Sequence, residues 1–222
     1  MTVLHLADEG EAADLAAFLS RLLHYDRSAA VRLQGTGTAL AVFGRPPSFE
    51  VLAIRAVRLA KPYENGLDVS VDVTVSAGEL LESVDEAAGT ALVPEAVTGP
   101  PWAGVLPPRG GWSAVPGLPA ADELRAMVGA GVAEFRSRTQ ELEPEARTRA
   151  ELDRIGREIW SRTVGDTRLP VRAVHAAQSL GFLRAGGQLA LFSSGAWLRL
   201  RTPYGSIAVR STGLGVLGVS VR

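Results

Sequence analysis

The stretch from Leu189 to Arg210 constrains the fold more than any other, because its apolar residues recur at every second position. Leu198, Leu200, Ile207 and Val209 alternate with Trp197, Arg199, Arg201, Ser206, Ala208 and Arg210, the pattern of strands with one buried and one wet face. Thr202, Pro203, Tyr204 and Gly205 supply turn chemistry between the two runs. With those four residues as the loop, Arg201 lies opposite Ser206, Arg199 opposite Ala208 and Trp197 opposite Arg210. One indole and three guanidinium groups therefore share the solvent face of the expected hairpin.

A similar pattern stands near the other end of the chain. An ungapped displacement of 158 positions sets Val31 on Leu189, Leu33 on Leu191, Leu40 on Leu198, Val42 on Leu200, Ser48 on Ser206, Phe49 on Ile207 and Val51 on Val209. A helical pattern precedes each copy, so the repeating unit reads as a helix followed by a three-stranded meander. Where the second copy has Trp197, Arg199 and Arg201, the first has Ala39, Ala41 and Phe43. The hairpin shape does not itself require arginines.

Residues 2–6 read as a short strand and 8–24 as an amphipathic helix with the stripe Leu15, Phe18, Leu19 and Leu22. Asp8, Glu9, Glu11 and Asp14 crowd its start, where acids complement the helix dipole; this explanation is preferred to a carboxylate metal site. Strands follow at 29–33, 38–43, 49–59 and 67–75, and together with the first strand they are expected to form one mostly antiparallel sheet. Ser76 and Glu79 have the spacing of a capping box for a short helix.

Residues 88–119 change character: proline pairs, glycines, Trp102 and Trp112 exclude regular helix and sheet from this reading. The two tryptophans are expected to hold an ordered loop against the body. Arg109, beside Gly110 and Gly111, is its one candidate for meeting an anion. Two long helices at 119–140 and 144–164 then form an antiparallel pair, with Gly131 and Gly156 in the packing stripe. A third helix, 169–183, carries Arg172 and His175 on a polar line. The expected fold class is α+β: two small antiparallel sheets, an internal duplication, and a central helical hairpin. It divides into an acidic unit at 1–87, a connector at 88–119 and a basic unit at 120–222.

The formal net charge of −1 conceals this division, since residues 1–119 carry 8 basic and 14 acidic groups and residues 120–222 carry 15 and 10. Of the 23 basic residues only Lys61 is a lysine, a bias typical of a GC-rich bacterial genome, so the count of arginines matters less than their placement. The chain has no cysteine, hence no thiolate metal site. No leader and no apolar run of about 18 residues is visible, so a cytoplasmic protein outside the membrane is expected. His5, His24 and His175 lack metal-ligand spacing, and no nucleophile elbow or phosphate-loop pattern occurs. The expectation is a non-catalytic binding protein with no metal and no cofactor, contacting nucleic acid, another polyanion or an acidic protein. Trp197, Arg199, Arg201 and Arg210 form the expected surface, aided by Arg172 and His175. Three helices followed by a hairpin is also the order of a winged-helix domain. A structural, protein-binding or self-associating module is the alternative, and an enzyme without a linear motif comes third.

Overall fold

The computed structural model describes residues 2–36, 38–46, 49–60 and 71–210. In chain order the elements are β1 (Val3–His5), α1 (Glu9–Tyr25), β2 (Ala30–Thr36), β3 (Ala39–Gly44), β4 (Leu52–Arg58), β5 (Val71–Ser76), α2 (Ala77–Glu82), β6 (Thr90–Leu92), β7 (Ser113–Val115), α3 (Ala121–Glu141), α4 (Arg149–Trp160), α5 (Val171–Ser179), β8 (Ala190–Ser194), β9 (Trp197–Thr202) and β10 (Gly205–Arg210). Short 3₁₀ turns occupy Pro101–Gly104 and Pro144–Ala146. Helix starts follow the sequence signals: Asp8 accepts a hydrogen bond from the Glu11 amide at 2.8 Å, and Ser76 and Thr148 do the same for Glu79 and Glu151 at 3.3 Å.

The α+β class holds, with one large antiparallel sheet and one small one. Two meanders form as expected, but they do not remain separate sheets. Strands β4 and β10 pair edge to edge, giving the order β5-β2-β3-β4-β10-β9-β8-β7. Alone, each meander would leave the backbone groups along the outer edge of its third strand unpaired, and joining β4 to β10 pairs these two edges. β1 is absent from this sheet and pairs with β6 instead. The 88–119 segment also contributes regular structure, since β6 lies within it and β7 pairs with β8 through Ser113–Ser193 and Val115–Leu191. Proline and glycine density limited these strands to three residues each without preventing them. The expected strand residues 67–70 lie outside the described residues.

The two meanders share a register over their first two strands. Leu33 pairs with Val42 in the first meander and Leu191 with Leu200 in the second, with the 158-position spacing intact. The third strands depart from it. Ala39 faces Arg58 and Trp197 faces Arg210, so Arg58 corresponds to Arg210, 152 positions on, and the matches of Ser48, Phe49 and Val51 fail. A longer β3–β4 connection accounts for the slip. With the third strands aligned this way, Ile54 corresponds to Ser206, and these two residues face each other across the β4–β10 ladder. A pseudo-twofold axis thus passes through the centre of the sheet, perpendicular to it.

Both helices that precede the meanders lie on one face. Leu15, Phe18, Leu19 and Leu22 of α1 and Val171, Val174 and Ala177 of α5 share a single core with Leu33, Leu40, Val42, Leu191, Leu198, Leu200, Ile207 and Val209. Phe18 and Phe182 stack over the centre with ring centroids 5.6 Å apart. α3 and α4 extend this layer outward. Gly131 permits their close approach, because a Cβ there would sit 2.8 Å from the Trp160 ring. Arg138 donates to both oxygens of Glu158 at 2.8 and 2.9 Å, and Arg162 to both oxygens of Glu134, tying the outer parts of the two helices together.

Candidate functional site

The face of the large sheet that points away from the helices holds the hairpin arginines. The observed register pairs Arg201 with Ser206, Arg199 with Ala208 and Trp197 with Arg210. Period-two alternation does the rest: Leu198 and Leu200 go under α5, so Trp197, Arg199 and Arg201 go to the opposite side. The same logic separates the other candidates. Arg172 and His175 are on α5, across the sheet from the hairpin arginines, and do not join them. His175 sits between Trp160, at 4.4 Å, and Phe49, at 5.0 Å. Nor does the chain have a winged-helix layout, since α5 buries Val171, Ala173, Val174, Ala176 and Ala177 and the hairpin lies inside the sheet.

The four side chains of the hairpin face divide. Trp197 packs with Trp102 and Leu106 against Phe43, Leu52, Ile54 and Ala208, so the connector covers this part of the face. Arg210 is exposed and lies apart. Arg199 and Arg201 line an open groove of about 850 Å³, together with Trp112, Phe192, Ser206 and Arg58. Its floor is made of small residues such as Ala56 and Ala190. Trp112 reaches the groove because β7 docks on β8, and its indole N–H donates to the Pro108 carbonyl at 3.0 Å. Its ring lies 5.8 Å from the Arg199 guanidinium carbon. Arg109 is exposed and is not part of the lining.

Charge is distributed unevenly around this groove. Arg55 is 6% exposed on the helix side of β4 and donates to Glu11 at 3.3 Å, to Asp14 at 3.0 Å and to the Tyr204 carbonyl at 2.7 Å. Arg58 donates to Glu11 at 2.7 Å and to Asp8 at 3.1 Å. The acids at the start of α1 therefore neutralise sheet arginines as well as complementing the helix dipole. Arg32 is held by Asp72 at 2.8 Å. Among the described residues Arg199 and Arg201 have no carboxylate partner, and the buried Nε of Arg199 has no hydrogen-bond acceptor. Burial, and then the charge of Arg201, pull the Arg199 guanidinium below its ordinary pKa. Such a pair favours any arriving anion.

Residues 1–104 match the family model of a domain of unknown function, DUF8010, and residues 107–214 match a second, DUF8185. Each is a likeness of one half of the chain. No curated protein matches the chain. The sheet runs unbroken across the border between the two matched stretches, and the groove draws on both, with Arg58 from the first and Trp112, Arg199 and Arg201 from the second. Among the described residues no helix is long and apolar enough to cross a membrane, and no three His, Asp or Glu side chains are grouped to hold a metal ion.

Sequence reasoning missed Arg55 and Arg58 as neighbours of the site. A signal was present: Arg55 interrupts a strand whose other core-side residues are Ala53 and Val57, and a buried arginine implies acids brought to it from elsewhere.

His175 has a separate, testable consequence. Burial among aromatic rings holds its imidazole below the ordinary pKa, so folding favours the neutral form. The unfolded chain takes up that proton near its ordinary value of about 6.5, and the stabilisation, present above that pH, is lost as pH falls below it. The urea midpoint of the wild type is therefore expected to drop more between about pH 7.5 and 5.5 than that of His175→Phe. Equal drops contradict this assignment.

Proposed function

We propose that this is a cytoplasmic, non-catalytic binding protein that receives a nucleic-acid strand or another polyanion at the Arg199–Arg201 groove. The observation that carries the reading is the pairing pattern of the sheet arginines. Arg32, Arg55 and Arg58 each have carboxylates, whereas Arg199 and Arg201, two positions apart on one strand face, have none among the described residues. The two adjacent guanidinium groups repel each other, and Arg199, which is partly buried, also loses solvation; an anion relieves both effects. Aromatic surface at Trp112 and Phe192 beside them suits stacked bases.

The test is binding of labelled single- and double-stranded oligonucleotides at near-physiological salt, by the wild type and by Arg199→Ala combined with Arg201→Ala. Single-stranded ligand is expected to bind the wild type, and the double variant to bind at least about tenfold more weakly, since each charge-assisted contact contributes about 1.5–3 kcal/mol. Duplex is expected to bind less well, because the face stands inside a broad sheet and presents no helix to a groove. Equal binding by both proteins removes these arginines from the site. A double variant that instead disperses an oligomer assigns them to a protein interface.

A further inference from the structure

Resting on that reading, we propose that the groove is a nucleotide site: it takes one phosphorylated nucleoside, free or as a single unit of a strand. The phosphoryl group lies on Arg199 and Arg201, and the base lies against Trp112.

Size and continuity decide for a single unit. The groove volume, about 850 Å³, falls within the range of about 300–1,000 Å³ usual for small-molecule sites. A track for a long polyanion needs cations repeated along its length, and here they stop. Next to Arg199 along β9 comes Trp197, partly buried and packed with Trp102 and Leu106, while Arg210 lies beyond it and outside the groove. The basic patch is a pocket closed on one side by apolar packing.

The chemistry of the lining is graded in the same sense. Guanidinium groups suit the phosphoryl oxygens, and neither Arg199 nor Arg201 is held by a carboxylate among the described residues. The indole of Trp112 lies 5.8 Å from the Arg199 guanidinium carbon, so a base resting on it keeps its phosphate within reach of the arginine. That indole is held by its own loop through the bond to Pro108, and its stacking surface exists before the ligand arrives. Glu11, the acid in the lining, is already engaged by Arg55 and Arg58. It does not leave an uncompensated negative charge facing a phosphate.

The test uses the full chain in calorimetric titrations with adenosine 5′-monophosphate, adenosine, inorganic phosphate and an eight-nucleotide oligothymidylate. The monophosphate is expected to bind with one site per chain, and adenosine and phosphate each at least about tenfold more weakly. Trp112→Leu should weaken the monophosphate about five- to hundredfold while leaving phosphate binding unchanged, and Trp112→Phe should restore most of the loss. Monophosphate binding without oligothymidylate binding assigns the site to free nucleotides and removes the strand reading. Binding of both, each lost in Arg199→Ala with Arg201→Ala, assigns it to a unit shared by the two. Arginine-dependent binding of the oligonucleotide with none of the monophosphate overturns the single-unit inference and leaves the polyanion reading standing. Equal affinity for monophosphate and inorganic phosphate overturns it too, and no binding of any probe removes both.

Discussion

Replacing Arg55 with alanine is expected to destabilise the protein by about 3–5 kcal/mol, the loss that follows removal of one partner from a buried ion pair. Arg55 bridges the two halves of the chain, because its guanidinium holds Glu11 and Asp14 of α1 and also the Tyr204 carbonyl in the β9–β10 turn. Without it, Glu11 stays buried with only Arg58 to compensate it. Arg55→Met combined with Glu11→Gln removes both charges and should recover part of the loss. Urea denaturation measures each variant. A loss under about 1 kcal/mol for Arg55→Ala means that the network behaves as a solvated surface pair.

Phe182→Ala is expected to cost about 3–5 kcal/mol, as deletions of buried aromatic side chains do. The ring is 2% exposed, stacks on Phe18 of the first half and fills the space beside Gly205, where a Cβ would lie 2.6 Å from the ring. Gly205→Ala in the wild type should therefore destabilise by about 1–3 kcal/mol through overpacking. Placed in the Phe182→Ala background, the added methyl enters vacated volume, and the same substitution should cost much less. Strict additivity of the two losses contradicts the contact between Gly205 and the ring.

Local periodicity made much of this molecule legible. All five helices and the hairpin register followed from spacing, capping residues and turn chemistry, which are short-range effects. What stayed illegible depended on which edges met. The pairing of β4 with β10 leaves no trace in either strand, since an edge strand and a central strand with one wet face carry the same alternation. Pairing of β7 with β8 was hidden for another reason: three residues are too few to show a period. That docking brings Trp112 to the groove, so the aromatic wall could not be assigned to Arg199 in advance. The separation of His175 and Arg172 from the hairpin arginines was within reach. A helix that covers Leu198 and Leu200 cannot touch the residues between them, and treating α5 as an aid to the basic face overlooked this.

The pseudo-twofold through Ile54 and Ser206 bears on how many ligands one chain can hold. Two identical halves related by such an axis would be obliged to carry two identical grooves, occupied independently or in concert. Linking the halves covalently lifts that obligation, because each can mutate alone. At the position of Arg201 the first half has Phe43, roofed by Trp102 and Leu106, so the mate of the groove is filled by the protein itself. The expected stoichiometry of one per chain then follows from this asymmetry, since one half of the sheet face is open at the groove and the other is closed by the connector.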